Sequence, residues 1–321
     1  MAAGITLDAL GVPLSGLLAE PPSGPPRAVV VALHGGGIRA GYFDGHAEPG
    51  HSLLDLGARL GFTVLALDRP GYGASAPFLP QGAPTQEQAT LLRAALADFA
   101  RTHQTGQGFF VVAHSSGGKT GLAMAAQDLD DRVIGLDVSG LGSTPAADGT
   151  LPRDPAGRID WYRHWGDPSL YPAETFRRCR ALLAPIPVQE IQEVPVWPET
   201  YACLAASVTV PVRFTFAEHE PWWRSDAQAV ADLTGPLAAA RVRVDHLPDA
   251  GHNISLGWAA RTYHLRALAF LEECLLARRT APAPVPVPAR TPPSGEGVPA
   301  AASWQFLKRV MFPLALAPDA T

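Results

Sequence analysis

The chain has 321 residues, long for one average domain and short for two, and its 47% hydrophobic content is enough for one sizeable core. Its 25 basic and 30 acidic side chains leave a net charge of −5, so no domain-wide basic field exists to draw in nucleic acid. Three widely spaced cysteines, Cys179, Cys203 and Cys274, make neither a disulfide framework nor a zinc site and are expected as buried free thiols.

The opening "ITLDALGVPLSGLLAEP" alternates on either side of Leu10-Gly11, which predicts a β-hairpin. The N-terminal stretch lacks a basic start and a sustained apolar run, so no signal peptide is expected. No run approaches the roughly 18 apolar residues of a membrane span, and the expectation is a cytoplasmic protein with no membrane partner.

A repeated rhythm of apolar strand, glycine turn and helix follows. "AVVVALHGGG" is a strand, "HSLLDLGARLG" a helix, "FTVLALDRPGYG" a strand, and "TQEQATLLRAALADFARTH" a helix with Thr85 as its cap. "GFFVVAHSS" and "RVIGLDVSG" are further strands. Runs this apolar are buried on both faces, as in a parallel sheet, and the alternation with helices predicts a doubly wound α/β architecture.

After Gly140 the rhythm breaks, and residues 141–208 are expected to form a helical cap. "PAETFRRCRALLAP" and "PETYACLAAS" look like short helices there, and Trp161, Tyr162, Trp165, Tyr171, Phe176 and Trp197 add aromatic mass. The core, residues 1–140 and 209–279, resumes with the strand "VRFTFAEHE", the helix "SDAQAVADLTG", the strand "VRVDHLPDAGH" and a long last helix. Residues 280–301 form a proline-rich linker. In the tail, 302–321, Trp304, Leu307 and Met311 share one helical face, and its expected use is docking on its own domain or pairing two subunits as a homodimer.

The stretch "AHSSGGKT" fits two motifs. As a relaxed phosphate loop from Ala113 to Thr120, it would offer Lys119 and Thr120 to a nucleotide, with Asp137 imitating a magnesium-holding aspartate. A tight anion-cradling turn normally starts with glycine, however, and here Ala113 stands first, after two complete strand-helix units. As a nucleophile elbow, the stretch needs small residues two before and two after the serine, which Ala113 and Gly117 supply around Ser115. Centring on Ser116 would put His114 at a position that must be small.

With the elbow in place, four motifs in order resemble the α/β-hydrolase family over about residues 28 to 278. "HGGG" (His34–Gly37) is similar to its oxyanion loop, "DRPGYGAS" to its glycine turn, "AHSSGG" to its elbow, and "AEHEP" with "DAGH" to its acid and histidine sites. The resemblance implies the α/β-hydrolase fold, a mostly parallel sheet flanked by helices with the cap inserted. It implies Ser115 as nucleophile, His252 as base, and Glu220 as the orienting acid with Glu218 as rival and Asp137 a distant third. N–H groups of Ser116 and of Gly36 and Gly37, without fixing which, would hold the oxyanion. His34, His114, Trp161 and Trp165 are placed on the substrate side, with a structural hydrogen bond as the leading role for His34. Lys119 reads as a solvated helix residue rather than a carboxylate clamp, and Asp68 as a turn anchor.

The implied reaction is acyl transfer from an ester, thioester or lactone with a largely apolar acyl portion, a small-molecule substrate that requires neither cofactor nor metal. Acyltransfer or cyclisation, and a non-hydrolytic binding role on the same fold, are the alternatives.

Overall fold

The central strands of this chain, Val29–Leu33, Thr63–Leu67, Phe109–His114 and Val133–Ser139, are buried at every position because helices cover both sides of the sheet they form. The computed structural model describes residues 2–128, 130–146, 164–239 and 241–280, so the expected linker and tail, together with Trp161 and Tyr162, lie outside the described residues. By its contacts the chain divides into Met1–Thr280 and a second unit, residues 281–321, and all that follows concerns the first.

Eight strands, β1 (Ala3–Ala9), β2 (Val12–Ala19), β3 (Val29–Leu33), β4 (Thr63–Leu67), β5 (Phe109–His114), β6 (Val133–Ser139), β7 (Val212–His219) and β8 (Val242–Gly251), form one sheet in the order β1-β2-β4-β3-β5-β6-β7-β8. The six strands from β4 to β8 in that order run parallel, and the β1–β2 hairpin extends one edge through antiparallel pairings, β1 with β2 and β2 with β4, so that β2 alone runs against the rest. The hairpin turns through Leu10 (φ 58°) and Gly11 (φ 87°), the left-handed pair that a two-residue loop needs to match strand twist.

Besides short 3-10 turns, eight α-helices are described in full: α1 (Leu53–Arg59), α2 (Thr85–Thr102), α3 (Ser116–Ala126), α4 (Ala173–Cys179), α5 (Val188–Gln192), α6 (Trp197–Ala205), α7 (Ala227–Thr234) and α8 (Ala260–Thr280). Strand alternation sends Val29, Val31 and Leu33 into one core layer with Leu92, Leu96 and Phe99 of α2 and Leu122 of α3. Val30 and Ala32 enter the opposite layer with Leu53 and Leu54 of α1 and Tyr263, Leu268 and Leu271 of α8. Each such fully buried side chain contributes roughly 1.5–3 kcal/mol of hydrophobic stabilisation. None of the described helices is long and apolar enough to cross a membrane.

Three expectations need correction at this level. Thr85 is the first residue of α2, after the N-cap Pro84, and its N–H and hydroxyl both donate to Glu193. Cys203 is exposed on α6, whereas Cys179 and Cys274 are buried as expected. Finally, α5 lies between the two short helices expected in the 141–208 segment.

Candidate active site

Ser115 sits between β5 and α3 with φ 52° and ψ −121°, a conformation that L-residues rarely adopt. The bend is held by the Ser115 N–H, which donates to the Ser139 carbonyl at 2.8 Å, and by the Gly118 N–H, which donates to the Ser115 carbonyl at 2.8 Å. A Cβ at Gly117 would stand 2.3 Å from the Leu33 carbonyl oxygen and 2.5 Å from that of His34, so only glycine lets α3 approach β3 this closely. That contact supplies the physical reason for the small residue two after the serine.

His252 follows directly on β8, and its Nδ1 lies 2.9 Å from both Glu220 carboxylate oxygens. Both side chains are 2% exposed. The Trp222 N–H also donates to Glu220 at 3.1 Å, which fixes the carboxylate behind the ring. Glu218 is exposed and accepts instead from the Asp249 N–H at 2.8 Å. Asp137 is fully buried 3.0 Å from Arg213, and burial pushes its carboxyl up to about 6. Of the three acids considered, Glu220 alone reaches His252.

Ser115 and His252 line one cavity of about 230 Å³, together with Ser116, Gly36, Gly37 and Trp165. Ser115 and His252 share no direct hydrogen bond among the described residues; such contacts are often long in unliganded sites and tighten when substrate binds. The cavity walls are mainly apolar, with Ile38, Leu141, Ile186, Ile191 and Val194 contributing.

The glycine loop is braced from below by Arg69, which is fully buried. Its N–H donates to His34 Nε2 at 3.0 Å, its Nε to the His34 carbonyl at 2.7 Å, and one terminal nitrogen to the Gly35 carbonyl at 3.1 Å. The same side chain reaches Gln88 at 3.0 Å and Glu190 at 2.8 Å. Because Nε2 accepts, the His34 proton sits on Nδ1 and donates to the Gly35 carbonyl at 2.8 Å. Burial and the Arg69 charge hold His34 far below its usual range, and the ring stays neutral.

Several placements differ from expectation. His34 does not line the cavity: it is a strut, and its assignment to the substrate side is withdrawn. His114 is likewise 1% exposed and outside the lining, stacked on Tyr42 at 4.8 Å and tilted against the His252 ring at 4.8 Å. Burial, and then the neighbouring His252 and His164, keep His114 well below its usual range, so it backs His252 as a neutral ring. The Gly37 N–H donates to the Tyr72 hydroxyl at 3.2 Å and is therefore already engaged, while Gly36 and Ser116, like Gly37, line the cavity. Trp165 does line it.

The phosphate-loop reading does not survive. Thr120 is fully buried with its hydroxyl donating to Gln88, and Asp137 is committed to Arg213. Lys119 is not solvated either, being 4% exposed with its ammonium 5.3 Å from the centre of the Trp197 ring. Asp68 anchors its turn as expected, accepting from Ala40 N–H at 2.8 Å and from the Ser15 hydroxyl at 2.7 Å.

Arg69, Tyr72, His164 and Glu190 went unassigned in the sequence. Arg69 and Tyr72 lie in the "DRPGYG" turn, where a cation beside an apolar strand was a usable signal. His164 and Glu190 carry no such signal, since both lie in the segment between β6 and β7. His164 lines the cavity 5.7 Å from the His252 ring, and burial pushes it down to about 3.

A bent strand-to-helix junction carrying a serine, with a histidine after the last strand and an acid after the one before it, defines the class of α/β hydrolases. The family model described as the alpha/beta hydrolase family matches residues 30–264, and the chain belongs to that family. No curated protein matches the chain by sequence. Among solved structures it is similar to an N-acyl homoserine lactonase complexed with N-hexanoyl homoserine (14% identity, 85% of this chain and 98% of that one, TM-score 0.61). It is also similar to a serine hydrolase involved in carbazole degradation (16% identity, 85% and 100%, TM-score 0.59). A third is a monoacylglycerol lipase from Paleococcus ferrophilus (19% identity, 82% and 98%, TM-score 0.57). At these identities the likeness establishes the fold.

Proposed function

We propose that the protein is a serine hydrolase acting on a carboxylic ester, thioester or lactone through an acyl-enzyme. The observation that carries this reading is the bidentate contact of Glu220 with His252 Nδ1 at 2.9 Å, at the edge of a cavity that the strained Ser115 also lines. With Nδ1–H donating to the carboxylate, Nε2 is the nitrogen left to take the Ser115 proton as its oxygen attacks the carbonyl carbon. The tetrahedral oxyanion is received by the N–H groups of Gly36 and Ser116, two residues of the cavity lining. Nε2–H then protonates the leaving alkoxide or thiolate, and a water activated by the same nitrogen releases the acid. The apolar cavity walls support an acyl portion that is largely hydrocarbon.

A fluorophosphonate probe tests the reading. Covalent labelling at Ser115, located by mass spectrometry and absent in Ser115→Ala, together with turnover of p-nitrophenyl esters, is the expected result. Folded protein that neither labels nor turns over any ester or thioester would refute it.

A further inference from the structure

The hydrolytic reading leaves two buried charged groups of the cavity without a task. Lys119 lies one helical turn after the nucleophile on α3, 4% exposed, and its ammonium makes no hydrogen bond or ion pair among the described residues. Its contact is the face of Trp197. Glu190, on α5 and 5% exposed, also lines the cavity. Its Oε2 is fully engaged, accepting from Arg69 at 2.8 Å and from the Tyr72 hydroxyl at 2.9 Å. Its Oε1 is buried with no hydrogen-bond partner among the described residues.

An unmet buried carboxylate oxygen costs about 1–3 kcal/mol, and more where the group is charged, so it persists only where something repays the cost. Oε1 stands 2.7 Å from where a Cβ on Gly36 would be, beside the N–H assigned to the oxyanion. A group bonded there therefore belongs to a substrate within a few bonds of the reacting carbonyl. Lys119 and Glu190 line the same cavity and no ion pair joins them among the described residues, so a substrate group held in that cavity can meet both. Its chemistry follows from theirs: it must accept from an ammonium and donate to a carboxylate. Two cations, Arg69 and Lys119, are matched in number by two carboxylates, Glu190 first and then Glu193, whose charges act on the ammonium, so an anion would bring an excess negative charge up to the unmet Glu190 oxygen.

We propose that Lys119 and Glu190 form a specificity subsite for a neutral hydrogen-bonding group of the substrate, a hydroxyl or primary carboxamide close to the scissile carbonyl. This rests on the hydrolase reading above and narrows its substrate class. An ester lacking the group leaves Oε1 and the ammonium unmet, and a site built to bond a hydroxyl discriminates strongly against the analogue without it.

Matched esters test it: methyl β-hydroxybutyrate and methyl succinamate against methyl butyrate, hydroxyethyl butyrate against propyl butyrate, and monomethyl succinate as the anionic control, followed by acid release. The expected result is a kcat/KM preference of about tenfold or more for a hydroxyl- or carboxamide-bearing ester. That ratio falls toward one in Lys119→Met and in Glu190→Gln. If either variant misfolds, the wild-type ratios with the other variant still decide. Equal ratios in the wild type, an unchanged ratio in a folded Lys119→Met, or a preference for the monosuccinate overturns the subsite while ester turnover and Ser115 labelling leave the hydrolase reading standing. Loss of all labelling and turnover is the separate failure of that reading.

Discussion

Two carboxylates stand two positions apart at the end of β7, and they meet different fates. Glu220 clamps the His252 ring, whereas Glu218 is spent on the Asp249 N–H. In Glu220→Gln the amide cannot stabilise the imidazolium and can favour the wrong tautomer, and kcat is expected to fall about 10³–10⁴-fold with KM little changed. Glu218→Gln is expected to stay within about twofold, because its partner is a backbone N–H at the surface. Steady-state kinetics on one p-nitrophenyl ester separates the two, and equal losses would contradict the assignment. The sequence alone left both acids open because the β7–β8 register shifts between Ala217 and His219, a local irregularity that no alternation pattern encodes. Lys119 gives a second prediction at this scale. Burial lowers its ammonium from 10.5 to about 8, so between those values the native state holds fewer protons than the unfolded chain. Stability contributed by this group therefore rises with pH across that window and is lowest below about 8. Lys119→Met is expected to be more stable than the wild type at pH 7 by on the order of 3 kcal/mol, with the gap closing toward pH 10.5. Urea unfolding at the two pH values measures it, and a gap that is absent or widens with pH would be inconsistent with a buried charged lysine.

At the scale of elements, periodicity was a good guide wherever an element was long enough to have a period. The strands β3 to β6 are buried at every position, as a doubly covered parallel sheet requires. Helix α5 was not legible, since Val188–Gln192 is barely one turn and is hemmed in by Pro185, Pro187 and Pro195. Yet it carries Glu190, and so a polar part of the cavity was invisible to pattern reading. The opening hairpin makes a local prediction. Leu10 occupies a left-handed position with 69% of its surface exposed, so it bears the strain and gains no burial. Leu10→Asn is expected to raise stability by about 1 kcal/mol, since asparagine tolerates this conformation and favours this turn. A thermal melt checks it, and a lowered midpoint would contradict the turn geometry. The α3–β3 contact predicts the opposite effect. In Gly117→Ala the new methyl would meet two backbone carbonyl oxygens at 2.3 and 2.5 Å, neither able to rotate away. The variant is expected to be insoluble or destabilised by more than about 3 kcal/mol.

At the scale of the molecule, the sheet delivers the serine, the histidine and the acid from the ends of β5, β8 and β7, while the segment between β6 and β7 closes the space they face. The first of these arrangements was readable because the order of motifs along the chain is the order of strand ends. The second was not, because cavity size depends on how Ile186, Ile191 and Val194 pack around it, and composition records only that they are apolar. On the proposed reading, that packing sets the length of acyl chain the cavity can hold. A volume of about 230 Å³ lies below the roughly 300–1,000 Å³ of sites that enclose drug-sized ligands. Each methylene that fits adds about 0.8 kcal/mol of burial, and each one that does not must remain in water or force the walls apart. Specificity along a series of p-nitrophenyl esters is therefore expected to climb over the short acyl chains and then fall, with the palmitate at least about tenfold below the optimum. Ile186→Ala, which opens the wall beside Gly37, is expected to move the optimum toward longer chains rather than lower it uniformly. A wild-type enzyme that turns over the palmitate fastest, or an optimum unmoved in Ile186→Ala, would mean that the acyl chain takes another route out of the site.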